Sequence, residues 1–376
     1  MKRKIILKDE VCISDFKKAL SFISEEIKSV VVKDNELEVD FEDNCNIESL
    51  VEKIEKLSLK FIIVKDKNKI WYENIHHCNY MSDLINNQEL FFKFNDGIYG
   101  LKGKAAFLFS FFEKQFKKIG LQIGGIEREY PVLLPVDKYV KTGYLNKSPQ
   151  YAIFCCNVYE NINELEGMEK NVIKKNILSH LKEPKLALSP SACFHTYLEL
   201  ENTIIPRNGV ITFTQSVFRN EGRLNYNEIG RLQDYHVREI VYIGDNEFVH
   251  STRQKIMIAA SDIIKNLDLC GTIEKAYDPF IIPKFQKYKK IQLIDTSKYE
   301  LRLKITEEQS ISVASFNLHG AAFTYPFNIS VNGCDNPVTG CVGFGIERWV
   351  IAFLSQYGDN IDQWPNDVRK AFMQSL

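Results

Sequence analysis

Apolar residues over the first 70 positions change period in a definite order. Lys4-Ile5-Ile6-Leu7 predicts a strand, and from Ile13 to Ile27 apolar side chains recur at Phe16, Leu20, Ile23 and Ile27, the spacing of one helix face. Val30-Val31-Val32 and Leu37-Glu38-Val39 flank Asp34-Asn35 and predict a hairpin. Ile47 to Leu57 returns to the helical period, and Phe61-Ile62-Ile63-Val64 predicts a closing strand. The resulting βαββαβ order is that of a ferredoxin-like unit.

A second region begins near Leu90. Ala105 to Lys117 predicts an apolar helix ending close to Gly120, and Arg128 to Leu133 a strand stopped by Pro131. A charged helical insertion over about 157–187 carries Lys170, Lys174, Lys175, Lys182 and Lys185. Strands then dominate: Val210 to Phe213, Val237 to Ile243, Lys290 to Ile294, Ser312 to Phe316 and Phe327 to Val331, with a helix from Arg348 to Gln356. Mostly antiparallel strands backed by a few helices predict an α+β catalytic domain over residues 89–376. Residues 1–88 form a small α/β domain without a catalytic constellation, which suits a docking module.

Composition narrows the class. At 376 residues, 45% hydrophobic and 26% charged, the chain can bury a full-sized core. Apolar runs such as Ala105 to Phe112 are too short to span a bilayer, and the Met-Lys-Arg-Lys start is too quickly interrupted for a signal peptide. The expectation is a cytoplasmic protein whose odd count of nine cysteines supplies thiols or metal ligands rather than disulfides. A net charge of −1 counts against a grip on a long nucleic acid.

Two distant stretches carry the chemistry. Val217-Phe218-Arg219-Asn220-Glu221 is followed by Gly230-Arg231-Leu232-Gln233-Asp234-Tyr235, and Gly340 to Arg348 holds Gly343-x-Gly345-x-x-Arg348. An Arg-x-Glu on a strand, an aromatic after a loop and a distant Gly-x-Gly-x-x-Arg can clamp a bent ATP. Arg219 takes the α-phosphate, Glu221 the adenine amino group, Tyr235 the adenine face and Arg348 the γ-phosphate, the guanidinium fork suiting phosphate oxygens. Taken alone, Arg219 and Glu221 on one strand face suit a surface ion pair, and Gly343-x-Gly345 suits a tight helix–sheet approach. No third glycine follows at the Rossmann position.

Together these stretches resemble motifs 2 and 3 of the class II aminoacyl-tRNA synthetases, with Pro131 after Glu129-Tyr130 in the place of the motif 1 proline. The resemblance covers roughly residues 90 to 376. It implies an antiparallel sheet flanked by helices, a motif 1 homodimer, and Arg219, Glu221 and Arg348 as ATP ligands, with Tyr235 in place of the usual Phe. Cys193, Glu239 and Cys341 lie beside these elements. Two thiolates and a carboxylate make three zinc ligands with a fourth position open for a substrate amine. His195 competes with Cys193 for that role, Cys334 competes with Cys341, and Glu239 has Arg238 or Arg231 as alternative partners. The arrangement resembles the atypical, methanogen-type seryl-tRNA synthetases and, more closely, their truncated relatives, the amino acid:[carrier protein] ligases. Glu300 and Asn317, which precede motif 3, are candidate ligands for a Mg²⁺ on the ATP phosphates. His76-His77-Cys78 lacks a completing ligand and is expected to be a polar loop, and Cys155-Cys156 point to opposite strand faces.

The resemblance implies an AMP-forming ligase. Its reaction joins ATP and a small amino acid (Gly, Ala or Ser) into an aminoacyl-adenylate, then transfers the acyl group to the phosphopantetheine thiol of a carrier protein. The chain ends soon after Arg348, leaving no space for an anticodon module, and the expectation is that tRNA is not the acceptor. An atypical seryl-type tRNA synthetase or tRNA-dependent transferase, and a non-catalytic amino-acid-binding paralogue, are the alternatives.

Overall fold

Alternation along the strands decides how the molecule is layered. The computed structural model describes residues 1–64, 69–81, 84–172, 177–226 and 228–375. Its main sheet has eight strands, in the order Ile70–Asn74, Gly271–Lys275, Lys298–Lys304, Ser310–Gly320, Val338–Gly345, Asp234–Gly244, Gly209–Phe218 and Ile126–Glu127. All neighbours are antiparallel except the last pair. Successive side chains point to opposite faces. One face offers Ile240, Tyr242, Phe316, Val342 and Phe344 to the helices Gly103–Gln122, Asn246–Asn266 and Ile346–Tyr357. Phe116 stacks on Phe344 at 4.5 Å and leans on Trp349 at 5.0 Å, so this layer is closed by aromatic packing. The other face joins Phe213, Val237 and Val241 to Phe194, Tyr197 and Phe327 in a second buried cluster. The fold is α+β, and no helix among the described residues is long and apolar enough to cross a membrane.

A second, three-stranded antiparallel sheet, in the order Lys2–Ile6, Glu36–Phe41 and Ile27–Lys33, packs against the helices Ile13–Leu20 and Ile47–Ser58 around Phe16, Leu20, Phe41, Ile54 and Phe61. The expected helix to Ile27 stops at Leu20. Turns at 21–26 still bury Ile23 but return the chain as a strand. The closing strand of the βαββαβ order is reduced to one bridge, Val11 to Ile62. Phe61, anchored beside Phe16, turns back onto the preceding helix end and leaves Ile62 and Ile63 exposed.

Several elements depart from the sequence pattern. Lys290 to Ile294, expected as a strand, lies within the helix Lys287–Ile294, where Lys289 and Leu293 share the buried face at spacing four. The strand expected over Arg128 to Leu133 splits into Ile126–Glu127 and Leu133–Pro135, which belong to different sheets. Of Phe327 to Val331 only Ser330–Val331 is strand. The 21-residue helix Asn246–Asn266, capped by the Asp245 carboxylate accepting from the Phe248 N–H at 2.8 Å, has no counterpart in the pattern. Ile70–Asn74 pairs with Gly271–Lys275, so the two sheets part before residue 70 rather than near 88. The insertion holds the helix Ile162–Val172, and Lys182 pairs with Glu160 at 2.9 Å. Lys174, Lys175 and the side chain of Lys170 lie outside the described residues.

Candidate functional site

The ladder registers assemble the site. Phe213, Glu239, Gly343, Ser315 and Glu300 stand opposite one another across five strands, and Val241, Cys341, Asn317 and Lys298 form the next row on the same face. A side chain at position 343 would collide with Glu239, because a Cβ there would lie 2.8 Å from Glu239 Oε2. Glycine at 343 therefore leaves room for a carboxylate that crosses the neighbouring strand. Gly340 makes the same allowance for Tyr242, whose ring a Cβ would meet at 2.2 Å.

Cys193, His319 and Cys341 each offer a ligand atom within 4.8 Å of the others. His319 Nε2 and Cys341 Sγ are 3.3 Å apart, and Cys193 Sγ lies 3.3 Å from Ser191 Oγ. Asn317 Nδ2 donates to Cys341 Sγ at 3.7 Å. Both cysteines are buried. The Cys341 thiol is pushed far up by its hydrogen bond to Cys193, by burial and by Glu239. Glu239 is buried too, and burial raises its carboxyl to about 7 against opposing contributions from Cys341 and Arg219. Two thiols and an imidazole this close out of water are costly as free groups, and a bound cation relieves that cost; Glu239 borders them at Cys341 but is not one of the three within 4.8 Å of one another. The donor set fits zinc.

The rivals for these roles are engaged elsewhere. His195 uses both nitrogens, Nε2 toward Leu133 O at 3.1 Å and Nδ1 toward Gln215 Nε2 at 3.1 Å. Cys334 lies in the turn after Ser330–Val331. Arg238, on the opposite face, pairs with Glu113 and with Glu127. Arg231 is held by Glu221 at 3.3 Å and by Glu228 at 3.0 Å. Glu239 is thus free of the arginines that competed for it. His319 was not among the expected ligands. The signal was present, since Ser315, Asn317 and His319 follow at spacing two on a strand bordering Cys341.

The two arginines of the nucleotide-type set each lie over an aromatic ring. Arg348 Cζ lies 5.0 Å from the Tyr235 ring centre, while its Nε and Nη1 donate to Gly230 O and Ser312 O at 3.1 and 3.2 Å. Arg219 donates from Nε to Pro190 O at 2.8 Å and lies over Tyr151 at 5.5 Å. That bond ties Arg219 to the Pro190–Cys193 turn that carries the thiol. Burial raises the nearby Tyr144 hydroxyl to about 12. Glu221 is buried and accepts from Arg231.

Glu300 does not stand free for a cation. Lys298 at 3.3 Å and Arg302 at 3.2 Å flank it, and although burial would raise its carboxyl they hold it at about 2. Asn317 faces Cys341 rather than the arginines, so the two Mg²⁺ candidates point to different parts of the site. Lys298 also pairs with Asp278 at 2.7 Å. His76 and Cys78 contact each other at 3.4 Å in a loop beside Asp268, away from these groups.

Comparison with known proteins adds relatives. No family model matches the chain. The type-2 serine–tRNA ligase of Methanocaldococcus jannaschii is 31% identical over 273 residues, 69% of this chain and 51% of that protein. That of Methanococcus maripaludis strain C6 is 30% identical over 265 residues, 66% of this chain and 51% of that protein. The chain spans about half the length of these relatives. Amino acid–[acyl-carrier-protein] ligase 1 of Bradyrhizobium diazoefficiens is 28% identical over 244 residues, 64% of this chain and 74% of that protein. Among solved structures, M. kandleri SerRS in complex with A. aeolicus tRNASec superposes with a TM-score of 0.75 at 19% identity, covering 100% of this chain and 78% of that one. Seryl-tRNA synthetase from Pyrococcus horikoshii complexed with ATP gives 0.59 at 12% identity, covering 87% of this chain and 79% of that one. At these identities the structural likeness speaks for the fold.

Proposed function

The chain is a class II aminoacyl-tRNA synthetase-like protein, and from that premise we propose that it activates a small amino acid with ATP and passes the aminoacyl group to a carrier-protein thiol. The observation that carries the reading is that Tyr235, Glu239 and Cys341 share one sheet face, with Arg348 over Tyr235 from the helix Ile346–Tyr357, Cys193 beside Cys341 from a turn, and Arg219 tied to that turn at Pro190. In this reading Tyr235 stacks on the adenine and Glu221 accepts from its amino group. Arg219 lies against the α-phosphate, where the amino-acid carboxylate oxygen forms its new bond to phosphorus. Arg348 holds the pyrophosphate that leaves with the electrons of the broken P–O bond. Charge stabilisation and positioning supply the catalysis, and no side-chain nucleophile is needed. The thiol sulfur of the carrier then bonds to the acyl carbon, AMP departs, and the thiol proton passes to solvent.

Cys193, Glu239 and Cys341 would hold a zinc ion, which when bound supplies a Lewis-acidic position for the substrate α-amine. That role selects a free amine, and the proposed substrate is a small amino acid, glycine, alanine or serine. Magnesium accompanies ATP in this class of chemistry; of its candidate protein ligands, Glu300 would have to part from Lys298 and Arg302 to reach it, and Asn317 faces Cys341 instead. We extend the proposal to a homodimer formed through the motif 1 region, which analytical ultracentrifugation checks.

Pyrophosphate exchange with single amino acids tests the activation step. Exchange with glycine, alanine or serine is expected, falling roughly 100-fold or more in Arg348→Ala and lost in Cys193→Ala. No exchange with any amino acid from zinc-loaded protein would turn the reading toward a non-catalytic binder. The acceptor has a second reading. The M. jannaschii and M. maripaludis relatives are named serine–tRNA ligases, which weighs against the expectation that tRNA is not the partner. The carrier reading draws on the B. diazoefficiens ligase, of which this chain covers the larger share. Transfer of radiolabelled amino acid to holo-carrier protein or to tRNA, assayed side by side, separates the two.

A further inference from the structure

The N-terminal module packs directly against the segment that follows Glu221. We propose that the module holds Glu221 in place for the adenine amino group, with Lys17, Arg223 and Asn225 as positioning residues where the two parts of the chain meet. The inference rests on the assignment of Glu221 to that amino group above.

One face of the helix Ile13–Leu20 makes the contact. Lys17 and Ser21 lie four residues apart on the same face at the helix end, and Lys18 offers its carbonyl beside them. Gly222 comes so close that a Cβ there would lie 2.5 Å from Ser21 Cβ, and its φ of +88° favours glycine as well. Backbone therefore meets helix with no side chain between them. Arg223 donates to Glu25 O at 2.7 Å and to Ile27 O, where the chain enters the strand Ile27–Lys33. Leu224 gives its N–H to Ser21 Oγ at 3.0 Å and packs against the core of the module.

These contacts lead to Glu221 by two routes. Asn225 is 2% exposed, and its Nδ2 donates both to Lys18 O at 3.3 Å and to Glu221 O at 2.7 Å. A single buried amide thus ties the helix of the module to the Glu221 backbone, whose N–H donates to Tyr226 Oη at 3.1 Å. The second route ends on the carboxylate. Lys17 pairs with Glu228 at 2.7 Å, Glu228 with Arg231 at 3.0 Å, and Arg231 with Glu221 Oε2 at 3.3 Å. Burial would raise the Glu228 carboxyl, but Arg231 and Lys17 outweigh it and hold it below its ordinary value. An acceptor fixed before its donor arrives binds without the loss of freedom that a loose loop would suffer. Docking of the module supplies that order in advance.

Calorimetric titration of the full chain with ATP and with purine riboside triphosphate, which lacks the adenine amino group, reads the contact directly. Wild type should hold ATP roughly tenfold more tightly than the analogue. Arg223→Met, which frees the turn from two carbonyls, should weaken ATP roughly tenfold and shift the analogue by less than about twofold. Lys17→Met removes a partly exposed pair, so a loss of about threefold is expected for ATP alone, recovered in Lys17→Arg. Equal weakening of both triphosphates in these variants would give the module a general structural role and overturn the proposal, as would binding of both unchanged from wild type. Wild type that holds the two triphosphates alike overturns the assignment of Glu221 itself, and the proposal with it. Lys17 is solvent-accessible, so its variants decide even where Arg223→Met fails to fold.

Discussion

At the scale of the residue, the glycines of the Gly340 to Gly345 stretch are explained by their neighbours rather than by a phosphate loop. Gly343 makes room for the Glu239 carboxylate, and Gly345 lies beside both Arg348 and Tyr235. A methyl group at 343 meets the Glu239 carboxylate at 2.8 Å and Val237 Cγ1 at 3.1 Å, so Glu239 must be pushed aside and Val237 must give slightly. Gly343→Ala is therefore expected to change unfolding free energy by no more than about 1–2 kcal/mol and to weaken zinc binding roughly tenfold. Urea unfolding paired with chelator competition checks both. The identities of Arg219, Glu221, Tyr235, Arg348, Cys193, Glu239 and Cys341 were legible as candidates in the sequence because their spacing and chemistry are unusual together. Their relative placement was not legible, since it depends on which strands become neighbours and which turns and helices flank them. The same reason obscured His319, which meets Cys341 from 22 residues away in sequence.

At the scale of the element, the N-terminal module is fastened to the loop that follows Glu221. Arg223 donates to Glu25 O at 2.7 Å and to Ile27 O, Leu224 N–H donates to Ser21 Oγ at 3.0 Å, and Lys17 pairs with Glu228 at 2.7 Å. Glu228 in turn holds Arg231, which holds Glu221. A second fastening joins Asp15 to the buried Lys289 at 2.8 Å, with Lys289 lying between the Phe61 and Tyr277 rings at 5.2 Å from each. Burial would raise the Asp15 carboxyl, but Lys18 and Lys289 outweigh it and bring it from 3.8 to about 2. A depressed carboxyl stabilises the folded state above its unfolded pKa, and that stabilisation disappears as pH falls through the folded value. Between about pH 4 and pH 2 this pair should lose about 2 kcal/mol. In Lys289→Met, which strands Asp15 with Lys18 and Tyr277 alone, stability at pH 7 should fall by about 3 kcal/mol and the slope over that interval should flatten. Denaturant titrations at stepped pH read both. The helix Lys287–Ile294 that carries Lys289 was expected as a strand. Its lysines obscure the spacing of four that buries Lys289 beside Leu293, and a buried lysine is not an apolar signal until its carboxylate partner is known.

At the scale of the whole molecule, the large sheet separates stability from chemistry, one face closed by helices and the other holding buried polar groups. Those groups make the protein's stability depend on what binds them. Ligand held only by the folded state stabilises it by about 4 kcal/mol at a thousandfold excess over Kd. Chelation of resident zinc should lower the thermal midpoint by several degrees, and scanning calorimetry with and without chelator, then with zinc restored, measures it. An unchanged midpoint would mean that these groups carry no resident metal. Local pattern by itself determined the α+β class, the hairpin at Asp34-Asn35 and the strands over Val210 to Phe213, Val237 to Ile243 and Ser312 to Phe316, because period and turn chemistry act over neighbouring residues. It also singled out candidates for holding nucleotide and metal, because candidacy is a matter of functional groups. Only the tertiary structure decided that Ile70–Asn74 joins the large sheet, that the N-terminal module grips the loop after Glu221, and that His319 stands beside Cys193 and Cys341. Each of these follows from strand pairing and burial between distant segments, where the free energy lies in contacts that no local window of sequence contains.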